Sequence, residues 1–96
     1  MSSGVTLSSC VVTYKLPDAK HPRGDQWCRT PVLSRTSLED MVAYLENIKK
    51  QHENVEFLSM SFLATKQEDS AEVFSVFTHY VDAYSIEEKA GTPIDK

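Results

Sequence analysis

Between residues 36 and 65 the spacing of apolar residues changes from three and four to two, and this switch constrains the fold more than any other feature of the chain. Leu38, Met41, Val42, Leu45 and Ile48 recur at the intervals that place side chains along one stripe of an α-helix. Tyr44 widens the stripe, while Glu39, Glu46, Lys49 and Lys50 occupy the opposite side. Thr36 and Glu39 have the separation of a capping box, and Asp40 adds negative charge where first-turn amides favour it. The helix is expected to end near residues 51–53, with Asn54 as its stop.

From residue 55 the pattern alternates, as on a strand with one buried face. Leu58, Met60, Phe62 and Ala64 fall on one side and Phe57, Ser59, Ser61 and Leu63 on the other. A polar connection at 66–70 leads into 71–84, which is rich in Val, Phe and Tyr and reads as a second strand. Pairing Thr65 with Ala71 would put Phe74 and Val76 on the core face with Phe62 and Met60. It would put Ser75, Phe77 and His79 with Phe57, Ser59 and Ser61, and a one-residue slip would exchange the faces. In this register the hairpin carries more apolar surface than one helix covers, so Phe57, Phe77 and His79 need either the N-terminal segment or another chain.

Before the helix, 5–16 reads as an opening strand, although neither of its alternating sets is decisively apolar at the start. Prolines, a glycine and charges make 17–25 a surface loop. Residues 26–33 suggest a further strand in which Pro31 suits an edge or an end. The expected fold is α+β, in the order β-(β)-α-β-β: a mainly antiparallel sheet of three or four strands with one amphipathic helix on one face. The 96 residues suit a single domain over 1–84, followed by a flexible acidic tail over 85–96.

Charge is divided along the chain. Residues 1–35 hold five basic side chains against two acidic ones, and 36–96 hold five lysines against twelve acids, making a net charge of −4. This acidic majority argues against a broad phosphate-clamping surface, which needs clustered cations. It suits the reverse arrangement, in which acidic side chains occupy a basic site on another protein. No run is long and apolar enough for a membrane span, and the start lacks the pattern of a secretory signal, so a cytoplasmic location is expected.

Reaction motifs are sparse. There is no phosphate-cradling glycine loop, nucleophile elbow or pair of histidines one helical turn apart. Cys10, His21, Cys28, His52 and His79 do not have the spacing of a zinc site, and Cys10 and Cys28 are expected to be reduced. No catalytic, metal or cofactor residues are therefore assigned. The favoured reading is a small non-enzymatic protein-binding regulator or inhibitor, docking on a basic site of a nucleic-acid-handling protein. Its partner-binding residues are Glu39, Asp40, Glu46, Phe57, Ser59, Phe77 and His79, and the aromatic sheet face also suits a homodimer. Two alternatives stand beside it. One is a thiol-dependent or metal-assisted enzyme using Cys28 and a histidine. The other is weak nucleic-acid binding through the basic 15–35 region, with Lys20, Arg23, Arg29 and Arg35 as contacts and Trp27 as a stacking surface. Arg23-Gly24-Asp25 also matches a cell-adhesion tripeptide, a short motif that arises readily by chance.

Overall fold

A computed structural model describes residues 4–89. Its strands are β1 (Thr6–Pro17), β2 (Asp25–Arg29), β3 (Leu33–Ser37), β4 (Glu56–Ala64) and β5 (Ile86–Glu88). Two α-helices, α1 (Leu38–Gln51) and α2 (Ser70–Phe77), separate the later strands, and short 3-10 turns cover Gln67–Asp69 and Ala83–Ser85. β1 pairs antiparallel with β2, β3 and β4, while β5 runs parallel to β4. The α+β expectation holds at this level, but the sheet is mixed, has five strands and carries two helices.

Helix α1 follows the expected stripe, burying Leu38, Met41, Leu45 and Ile48. Its cap is one residue later than the sequence spacing suggests. Ser37, in extended backbone, accepts the Asp40 amide at 3.0 Å, because β3 continues through Ser37 and holds Thr36 in the ladder opposite Leu7. The acids of the first turn and Lys49 and Lys50 in the last both complement the helix dipole.

The largest departure concerns residues 71–84, expected as a strand. Residues 70–77 form α2, which buries Val73 and Phe77 completely and leaves Phe74 38% exposed. Val73, Val76 and Phe77 also have helical spacing, so eight residues carry both periods and local β-propensity does not decide between them. Burial does: the α2 arrangement sets Phe77 edge-on against Phe62, with ring centroids 5.6 Å apart. The assumed pairing of Thr65 with Ala71 is therefore absent, and Phe77 belongs to the core instead of a partner surface. After α2 the chain turns through residues 78–82 and returns as β5, where Ile86 lies opposite Met60. Residues 86–88 of the expected tail are thus part of the sheet, and 90–96 lie outside the described residues.

Two register shifts explain why β1 and β4 resist simple alternation. Leu7 pairs with Ala64 and Ser9 with Leu63, so Ser8 is an extra residue on β1. This bulge moves the buried set from Val5 and Leu7 to Cys10 and Val12. Buried Ser8 keeps a hydrogen bond between its hydroxyl and that of Thr65 at 3.0 Å. Thr13 pairs with Ser59 and Tyr14 with Phe57, so Leu58 is the extra residue on β4. That second bulge turns Phe57 toward the helix side, where it packs against the core. Ser59 stays on the opposite face beside Thr13. Both aromatics assigned to a surplus face therefore find contacts within the chain: Phe77, on α2, is buried against Phe62 of β4, and partly buried Phe57 meets Tyr80 in the turn after α2.

The outer edge of β1 is shared end to end by two short strands. β2 covers residues 13–17 and β3 covers 6–10 of β1. Between them, the Thr30 amide donates to the Val12 carbonyl at 2.9 Å, and the Thr30 hydroxyl accepts the Val12 amide at 3.0 Å. Thr30 thereby replaces the missing ladder rung. Pro31, which has no amide to donate, follows at the break. The expected strand over 26–33 is thus β2 only as far as Arg29; it breaks at 30–32, and a separate strand, β3, begins at Leu33 and runs on to Ser37. No helix among the described residues is long and apolar enough to cross a membrane.

Candidate functional site

The C-terminal end of α1, the start of β4 and the turn after α2 enclose an open cleft of about 530 Å³. Each element is placed by features already described. The stripe of α1 holds Lys49 outward, the Leu58 bulge rotates Phe57 inward, and burial of Phe77 fixes the turn that delivers His79 and Tyr80. Phe57 and Tyr80 form the aromatic floor, with rings 5.7 Å apart and nearly perpendicular at 88°. Tyr14 continues the row from β1, its ring 6.3 Å from that of Phe57. Glu53, Glu56 and Asp82 line the rim against Lys49, so acids outnumber the fixed cation.

Glu46 joins the site through Tyr80. The phenol of Tyr80 donates to Glu46 Oε2 at 2.6 Å, and Lys49 Nζ lies 3.8 Å from the same oxygen. That ammonium also sits 5.5 Å from the centroid of the Tyr80 ring, a cation–π contact. Burial pushes the Tyr80 phenol up to about 12, assisted by its hydrogen bond to Glu46 and by that carboxylate's charge. Burial also raises Tyr14, with Cys28 and Tyr44 adding to the effect. Glu56 is paired with Lys15 across the strands at 3.6 Å, leaving its carboxylate largely exposed.

The sequence-assigned residues divide into three groups. Glu46, Phe57 and His79 come together at the cleft. Glu39 and Asp40 lie in the first turn of α1, and Glu39 precedes Glu46 by seven residues, about 10.5 Å along the same side of the helix. Ser59 faces the opposite side of the sheet and Phe77 is buried, so neither contributes to this surface. Tyr80 and Lys49 were not singled out from sequence. Tyr80 lay inside the expected strand, and its partner Glu46 is 34 residues away, beyond any local pattern.

The remaining candidates fall elsewhere. Cys10 is buried and Cys28 partly so; both are free. Cys28 lies opposite Tyr14, four positions along β1 from Cys10, a separation of roughly 13 Å that excludes a bridge. Burial pushes the Cys10 thiol up to about 12, against a smaller opposing effect of Lys89. Cys28 is outside the cleft. Among the described residues, no group of three or more His, Cys, Asp or Glu side chains has the arrangement to hold a metal ion. In the β1–β2 loop, Arg23 is exposed and Gly24 takes φ +83°, but Asp25 is ion-paired with Lys15 at 3.8 Å, so the tripeptide's carboxylate is engaged. Trp27 is 61% exposed on β2, two residues from exposed Arg29. In comparisons with known proteins, the chain matches no family model, no curated protein and no solved structure.

Proposed function

We propose that this protein is a non-enzymatic binding protein that docks on a basic segment of another protein. The observation that carries this reading is the cleft's acidic rim of Glu53, Glu56 and Asp82 above the aromatic floor of Phe57 and Tyr80. Glu39 and Glu46 share one side of α1, with Asp40 beside Glu39 in the first turn, and this acidic first part of the helix adds to the same charge ahead of Lys49 and Lys50 in its last turn. Acidic side chains give orientation and encounter rate, while aromatic rings provide contact area at small entropic cost. The partner class we favour is a nucleic-acid-handling protein in the cytoplasm, whose cationic phosphate-binding surface these acids complement; occupying that surface would make the protein an inhibitor or regulator.

The test is affinity capture from the native host with the wild-type chain and with a Glu39→Lys, Glu46→Lys, Glu56→Lys variant shown to be folded. A basic protein retained by the wild type, released by salt and lost from the variant supports the proposal. Equal retention by both chains removes the charge-complementary reading.

Exposed Trp27 favours a second reading. Together with Arg29 on β2 and Lys20 and Arg23 in the adjoining loop, it supplies a stacking surface flanked by cations, as weak single-strand binding requires. An electrophoretic shift of mixed single-stranded DNA or RNA at low salt supports it, and the absence of any shift counts against it.

A further inference from the structure

Lys49 sits on the Tyr80 ring and against Glu46, yet its side chain is half exposed, as is that of Glu46. A pair so open to solvent holds its geometry only weakly, because water screens the charges and ordering two flexible side chains costs entropy. The aromatic corner behind it is better defined. Phe57 and Tyr80 meet at close to a right angle, and the Tyr80 hydroxyl is oriented by its bond to Glu46. Even with Glu56 paired to Lys15, the surrounding Glu53, Asp82 and Glu46 leave the site with more negative charge than Lys49 balances.

We infer that this corner is an acceptor for an arginine side chain of the partner's basic segment, and that Lys49 is an intramolecular stand-in which the guest displaces. The inference rests on the proposed docking on a basic segment and names the contact at its centre. Arginine suits the geometry better than lysine. Its planar guanidinium stacks on an aromatic ring while its edge donors reach carboxylates, here the rim acids and Glu46. Lysine offers one compact, strongly hydrated charge to the same ring. Displaced Lys49 moves into solvent at little cost, since it begins half exposed.

The experiment titrates the full chain with a short arginine-rich peptide, with the same peptide carrying citrulline at every arginine, and with its lysine counterpart. Binding is read by heteronuclear NMR shifts and calorimetry. The arginine peptide is expected to perturb residues 78–82 and the Phe57 ring, to bind more tightly than the lysine peptide, and to lose binding when citrulline removes the charge. Lys49→Ala is expected to tighten the arginine peptide by about 2–5-fold, the value of an exposed cation–π contact relinquished by the resident side chain. Tyr80→Leu is expected to weaken it by a similar factor, whereas Tyr80→Phe, which keeps the ring, retains binding. Equal binding of the citrulline peptide, no binding of the arginine peptide, or unchanged or weaker binding by Lys49→Ala overturns the inference. The broader docking reading fails separately, through the host partner's indifference to charge reversal at Glu39, Glu46 and Glu56.

Discussion

Truncating Phe77 distinguishes the observed helix from the strand that its local sequence suggests. Phe77 is fully buried against Phe62, whereas Phe74, three residues earlier, is 38% exposed. Phe77→Ala removes a core ring and leaves a cavity, a change expected to cost about 3–5 kcal/mol. Of this, roughly 0.5–1.5 kcal/mol comes from the edge-to-face contact with Phe62. A domain whose whole stability is about 5–15 kcal/mol would lose a large share of it. The corresponding fall in melting temperature is at least about 12 °C for a chain of this size. Phe74→Ala, with part of its ring already in water, is expected to cost about 1–2 kcal/mol. Urea unfolding followed by far-ultraviolet circular dichroism gives both values. Fluorescence is the poorer probe, because Trp27 is exposed. Where Phe77→Ala fails to fold, Phe77→Leu keeps the comparison quantitative. A Phe77 variant no more destabilised than its Phe74 counterpart would refute the packing argument, since exchanged exposures are what a strand pairing Ala71 with Thr65 predicts.

Three further outcomes follow from the structure. Thr30→Val keeps the side chain's shape but leaves the buried Val12 amide without its acceptor, so equilibrium unfolding should show a loss of about 1–3 kcal/mol. In the folded protein a thiol-reactive chromophore should label Cys28 and spare Cys10, whose thiol is both buried and raised to about 12; mass spectrometry should find the second label only after denaturation. Tyr80 should ionise later than an ordinary tyrosine in an ultraviolet difference titration, and Tyr80→Phe should remove the step near 12 while leaving the delayed ionisation of Tyr14. Because its folded value is raised from 10.0 to about 12, the associated stabilisation is fully present below pH 10 and is lost as pH rises toward 12. Titration of all four tyrosines near the ordinary value would contradict the Glu46 contact.

Helix α1 was legible in the sequence because its stripe is long. Leu38, Met41, Leu45 and Ile48 repeat over several turns, and that length separates a helical period from an alternating one. The core face of β4 was legible for the same reason from Met60 to Ala64. It failed at Phe57, where the bulge at Leu58 inverts the phase and sends the ring to the other side of the sheet. A bulge is set by the pairing of two strands, and neither strand shows it alone. The cap differed by one residue because Thr36 and Ser37 are both competent hydroxyls. β3 runs through Ser37, itself opposite Thr6, so the helix begins at Leu38 and Ser37 is its cap.

By itself, then, the sequence determined an α+β chain with an amphipathic helix, a strand behind it, a basic first third and an acidic remainder, since these depend on local periods and residue counts. Tertiary structure decided that residues 70–77 are helical, that Phe77 is core, and that Glu46, Phe57, His79 and Tyr80 meet at one cleft. The physical reason is that eight residues with mixed spacing are stable in either form, and the choice falls to whichever buries Val73 and Phe77 against a sheet assembled from distant parts of the chain.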